Sequence, residues 1–176
     1  TLAVEEELSS VLLAGLCVEP VAGGIELVLQ LENQTAGHHF PSGASHDRVA
    51  WAEVQGFRGD EPLLESPWRV DFNDVALDDQ GEQAHLFWEV ASIEERSLPG
   101  AGPQGVGHVK EWRLSLLGEA PDRLQLQVWL TPMAPALLQD LEQSGDLDPE
   151  VSEAMPTWPL LELSGAASVG SCLSNG

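Results

Sequence analysis

Alternation in GIELVLQLEN, residues 24–33, constrains the fold more than any other feature of the chain. Ile25, Leu27, Leu29 and Leu31 fall on one side and Glu26, Gln30 and Glu32 on the other, the period of two that a half-buried strand requires. DRLQLQVWL (122–130) repeats the pattern, with Leu124, Leu126, Val128 and Leu130 inward. RVAWAEVQGF (48–57), AHLFWEVASI (84–93) and HVKEWRLSLL (108–117) read as further strands, each carrying a tryptophan, and SVLLAGLCVE (10–19) and WPLLELSG (158–165) read as edge strands. Turn-rich segments separate them: FRGDEP, LDDQGEQ, LPGAGPQG and GEAPD. Helical spacing appears only late, in PALLQDLEQSG (135–145), where Leu137, Leu138 and Leu141 share a face before a Gly stop. Asp148 followed by Pro149 has the form of an N-cap with Pro at the first helical position. Strands spaced by turns in this way predict an all-β chain: a single antiparallel, immunoglobulin-like β-sandwich domain over 1–176, with one or two short helices near the C-terminus.

The charge balance bears on partners. Seven Lys and Arg stand against 29 Asp and Glu, a formal charge of −22. Nucleic acid is excluded as a natural partner because it needs a basic face, and an anionic membrane surface is disfavoured likewise. Such a surface attracts cations and basic proteins. The longest apolar run, VLLAGLCV at 11–18, falls short of the roughly 18 residues of a membrane helix, so membrane insertion is not expected. The opening TLAVEEEL lacks Met, as a processed or trimmed chain would, and no signal peptide is visible. Cys17 and Cys172 lie near opposite ends and are read as a disulfide between the N-terminal strand and the C-terminal tail, with two buried thiols as the alternative. A disulfide accords with a secreted, cell-surface or periplasmic protein. No CxxCH is present, which excludes covalent c-type haem on this chain, and no CxxC, which excludes zinc ribbons.

Enzymatic signatures are lacking: there is no GxSxG, no HExxH and no Gly-rich phosphate loop. Ser42, His46 and Asp47 could be assembled into a triad, but in a chain so rich in Ser and Asp the combination carries no information. No enzyme is expected. The absence of tyrosine removes phenol ligands and tyrosyl radicals.

GHHFPSGASHDRVAW (37–51) concentrates three of the five histidines. A purely structural reading suffices for it. Phe40 anchors a loop in the core, Pro41, Ser42 and Gly43 make a turn, Asp47 and Arg48 pair or cap, Trp51 points into the sandwich, and the His38 ring bonds the backbone of the turn. His39 should then point the opposite way, exposed. His85 and His108 open strands and have no partner at ligand spacing.

The same residues, Asn33-x-x-x-Gly37-His38-x-Phe40-Pro41-Ser42-Gly43 followed by Asp47-Arg48-x-x-Trp51-x-Glu53, carry a resemblance. They resemble a β-sandwich domain found beside haem domains in multihaem c-type cytochromes. They resemble more closely the haem-free copper-binding surface proteins of methanotrophic bacteria, of the MopE and CorA type. The pattern continues more weakly through HLFWEVASIEERSLPG (85–100). The resemblance implies a mononuclear Cu(I) site formed by two histidines and a tryptophan oxidised to kynurenine. His46 and Trp51 are the matching pair, with His85 or His38 assisting. Imidazole and low coordination suit Cu(I). This chain departs from the family in having no histidine shortly after Trp51, where FRGDEPLLESPWRV offers only carboxylates. The expected function is therefore copper binding. Two other readings stay open: an interaction module that docks a multihaem cytochrome or other redox partner and binds no metal, and a domain stabilised by Ca²⁺ at Asp71, Asn73, Asp74, Asp78 and Asp79 of DFNDVALDD.

Overall fold

The protein is described by a computed structural model, which covers residues 10–43, 46–84, 86–100 and 108–176. It is an antiparallel β-sandwich. Strands β1 (Leu12–Val21), β2 (Gly24–Asn33), β8 (Val109–Leu117) and β11 (Cys172–Ser174) form one sheet in the order β11-β1-β2-β8. The facing sheet has the order β10-β9-β3-β4, from β3 (Val49–Arg58), β4 (Glu61–Pro62), β9 (Arg123–Thr131) and β10 (Trp158–Ala166), with β5 (Trp68–Asp71) also pairing β3. A separate ribbon joins β6 (Val75–Leu77) to β7 (Ser92–Glu94).

Alternation sets which residues meet between the sheets. Ile25, Leu27, Leu29 and Leu31 of β2 and Leu124, Leu126 and Val128 of β9 are buried in one core with Leu16 and Val18 of β1. The Ala22-Gly23 turn between β1 and β2 places Gly23 at φ 84, a left-handed conformation that glycine adopts without steric penalty. The two late helices follow their sequence signals. Helix α1 (Pro135–Ser144) stops at Gly145, which lies at φ 81, and α2 (Pro149–Glu153) is capped by the Asp148 carboxylate, which accepts from the Glu150 amide at 3.0 Å.

Cys17 and Cys172 are joined in a disulfide, as the sequence suggested. It ties β11 to β1 at the register pair that the two cysteines themselves form.

Three strand readings need correction. SVLLAGLCVE gives β1, which lies between β11 and β2 and is not an edge strand. AHLFWEVASI was expected to be a strand throughout, but among its described residues only Ser92 and Ile93 lie in one, β7. Leu86, Phe87 and Trp88 are three consecutive large apolar residues and cannot all face one side of a strand. The chain turns there, the Glu89 amide donating to the Leu86 carbonyl at 2.9 Å. Trp51 does not point into the sandwich: Ala50, Ala52 and Val54 take the inner face of β3, which sets Trp51 on the outer one.

All seven basic side chains are engaged. Arg113 bridges Glu19, Glu26 and Glu111 across β1, β2 and β8 at 2.6–2.8 Å, and those carboxylates hold its guanidinium above the usual arginine range. Arg69 and Arg96 pair with Asp71 and Glu94, and Arg123 lies over the Phe57 ring. Arg48, Arg58 and Lys110 donate to backbone carbonyls of Ser42, Glu119 and Arg96. Seven bases against 29 acids leave the chain with a large excess of carboxylates.

Candidate functional site

The Asn33–Trp51 segment is built around Asn33, the last residue of β2. Its side chain is fully buried, donates to the His38 carbonyl at 2.8 Å and accepts from the Ala36 amide at 3.1 Å. One amide side chain thus satisfies backbone groups on both sides of the loop, which a buried loop demands. Phe40 follows, buried in the core as expected, and the Phe40-Pro41 peptide is cis. Arg48 donates to the Ser42 carbonyl, and Asp47 accepts the Ala134 amide through its own carbonyl at 2.6 Å. Of the two roles expected for them, pairing or capping, the structure shows the second: the Asp47 backbone tethers the start of α1 and Arg48 closes the Pro-Ser-Gly turn.

A second segment packs against this loop. Phe40 and Leu98 exchange both backbone hydrogen bonds at 2.8 Å, forming an isolated bridge. A Cβ on Gly100 would come within 2.8 Å of the His38 backbone, so only glycine permits that approach. The strap is anchored by Asp74, whose carboxylate accepts the Arg96 and Ser97 amides at 3.0 and 2.9 Å. The Glu94 carboxyl beside it is held below the usual carboxylate range by its hydrogen bond from Arg96. The fold thus joins residues 97–100 to the Asn33 motif, the two stretches that shared the resemblance.

The candidate ligands are placed as follows. The exposed His38 ring bonds the His39 carbonyl through Nδ1 at 3.0 Å, and His39 Nδ1 lies 3.4 Å from Ser97 Oγ. His46 is partly exposed, its Nε2 3.6 Å from an Asp47 carboxylate oxygen. Trp51 stacks on Trp129 of β9 with centroids 6.5 Å apart, lies 4.5 Å beneath the Arg69 guanidinium, and donates its indole N–H to Glu53 at 3.1 Å. His85 lies outside the described residues. Among the described residues no hydrogen bond or ion pair joins His46 to Trp51 or His38, and no group of three His, Cys, Asp or Glu side chains is arranged to hold a metal ion.

The DFNDVALDD carboxylates are turned to separate tasks. Asp71 pairs with Arg69, Asp74 holds the strap, and Asp78 caps the Gln80 and Glu82 amides at 2.8 and 2.9 Å. Sequence reasoning missed the parts played by Asn33, Asp74 and Gly100. Asn33 ends an alternating strand just before a glycine-rich loop, and that position was the available signal.

Replacing Asn33 by Ala is expected to destabilise the domain by about 1–3 kcal/mol, because the His38 carbonyl and the Ala36 amide lose the buried side chain that pairs with them. Urea denaturation followed by tryptophan fluorescence measures this; a midpoint equal to wild type would show that the loop stands without the amide.

No protein-family model matches the chain. No curated protein matches it either. Among solved structures the fold matches a penta-heme cytochrome c552 from Thermochromatium tepidum at 15% sequence identity and a TM-score of 0.67. The match covers 92% of this chain and 41% of that one, so the whole sandwich corresponds to less than half of the cytochrome chain, and the two share a fold.

Proposed function

We infer that the chain is a haem-free β-sandwich module that docks a multihaem c-type cytochrome or a related redox partner, and that it does not itself turn over a substrate. The observation that carries this reading is the likeness of nearly the whole chain to one part of a penta-heme cytochrome. Both cysteines are joined to each other, which leaves no thiol for thioether attachment of haem. The charge of −22 favours a basic partner, and the disulfide favours an oxidising compartment such as the periplasm or cell surface. The test is gel filtration of the purified chain mixed with a multihaem c-type cytochrome, followed at the haem Soret band. Co-elution at low ionic strength is expected, and separate elution would overturn the reading.

Copper bound through His46 is the second reading, in line with the resemblance to the methanotroph copper proteins. It is favoured by the state of the His46 ring, which is partly open and faces a carboxylate, whereas the His38 and His39 rings are engaged by a backbone carbonyl and Ser97. On this reading protein purified from its host carries about one copper per chain, and His46→Ala removes it. Unchanged affinity in His46→Ala would exclude this ligand. Bound calcium in the same metal assay would point instead to the Asp71–Asp79 loop.

A further inference from the structure

Phe87 and Trp88 stand 79% and 67% exposed, an unusual state for two large aromatic side chains side by side. Their rings meet edge to face, 5.0 Å between centroids at 80°. The turn that displays them is pinned at both ends to β6. Ala84 donates to the Ala76 carbonyl at 2.9 Å and Ala91 to the Leu77 carbonyl at 2.8 Å. The aromatic pair is thus presented from a fixed base.

A groove runs from Trp88 to α1, floored by Leu86, Leu137 and Leu141 and bordered by Glu89, Asp140 and Asp146. Trp88 and Glu89 also border a second groove, with Asp78 and Asp79. Among the described residues neither groove is lined by a Lys or Arg. An apolar aromatic centre within a carboxylate rim is the arrangement of an interface hot spot with electrostatic steering around it.

We propose that the Phe87–Trp88 turn and its acidic rim form the docking surface for a basic protein, one that presents an apolar patch ringed by Lys and Arg. A partner guanidinium can stack on the exposed Trp88 face while neighbouring lysines meet Glu89 and Asp146. A second copy of this chain is a poor occupant, because two such rims would bring like charges together. Anionic lipid is disfavoured for the same reason. In naming a haem protein as that partner the proposal rests on the docking reading above; the location of the surface does not.

Titration calorimetry of the purified chain tests both, with two probes: a basic c-type cytochrome and lysozyme, a basic protein without haem. The cytochrome is expected to bind at roughly 20 mM salt and about tenfold or more weaker at roughly 200 mM. Phe87→Ser with Trp88→Ser should weaken it by at least about tenfold, and Val109→Ser, an exposed apolar residue on β8, should leave it unchanged. Glu89→Gln with Asp146→Asn should weaken binding and flatten its salt dependence. Wild-type affinity in the aromatic double variant, or no binding of either probe, overturns the surface. Equal binding of lysozyme with the same dependence on Phe87 and Trp88 upholds the surface and removes support for a redox partner. Unchanged melting of the double variant confirms that it is folded.

Discussion

Replacing Cys17 and Cys172 together by serine is expected to lower the unfolding free energy by about 3–5 kcal/mol. The bridge closes a separation of 155 residues, nearly the whole chain, so its loss frees a large unfolded ensemble. The folded side of the balance points the same way. Strand β11 has three residues, lies at a sheet edge, and pairs only from Gly15 to Cys17 of β1. Beyond the disulfide it is held by Asn175, which accepts the Ala14 amide at 2.8 Å and donates to the Leu12 carbonyl at 3.0 Å, by Leu173 packing on the core, and by the residues leading into it, where the Ser171 carbonyl accepts the Val18 amide at 3.0 Å and the Gly170 amide donates to the Val18 carbonyl at 2.7 Å. A three-residue edge strand opens more readily than the long central ones once the covalent tie is gone, so amide exchange in residues 172–175 should rise before the rest of the sheet. Urea titration of the variant against wild type measures the first effect and hydrogen exchange the second. An unchanged midpoint would mean that β11 is held by its own contacts.

Phe72→Ala is expected to cost about 3–5 kcal/mol. The side chain is fully buried just after β5 and its ring lies 6.5 Å from that of Trp112 in the facing sheet, so it spans the two layers. Its amide donates to the Ala50 carbonyl at 2.9 Å, which fixes the backbone and prevents the site from collapsing around a smaller residue. Phe87→Ala removes the same atoms from an exposed position and should change stability by less than about 0.5 kcal/mol. The pair is read by urea denaturation under identical conditions. Similar losses in both variants would contradict the assignment of Phe72 to the core and Phe87 to the surface.

The sandwich was legible because its strands alternate. Leu27 and Leu126 could be placed inward from spacing alone, since a slip of one residue would bury Glu26 or Gln125. The late helix stops were local signals of the same kind, and the cysteine pair was legible because the chain has two cysteines and no others. Trp51 was not legible: large aromatic residues are usually interior, and only the small inward neighbours Ala50 and Ala52 show that the tryptophan takes the other face. Trp88 was misread because apolar content was given more weight than periodicity. The corner itself depends on contacts between residues far apart in sequence, Phe40 with Leu98 and His38 with Gly100, which no local pattern records. For the same reason His46 could be selected by its neighbours in sequence but not by its neighbours in space.

Native mass spectrometry of the protein isolated from its own host tests the central claim most directly. A docking module of the kind inferred here is expected to appear in complex with a haem-bearing chain, with no copper attached to its own mass. A free chain carrying one copper ion and no haem partner would contradict that account.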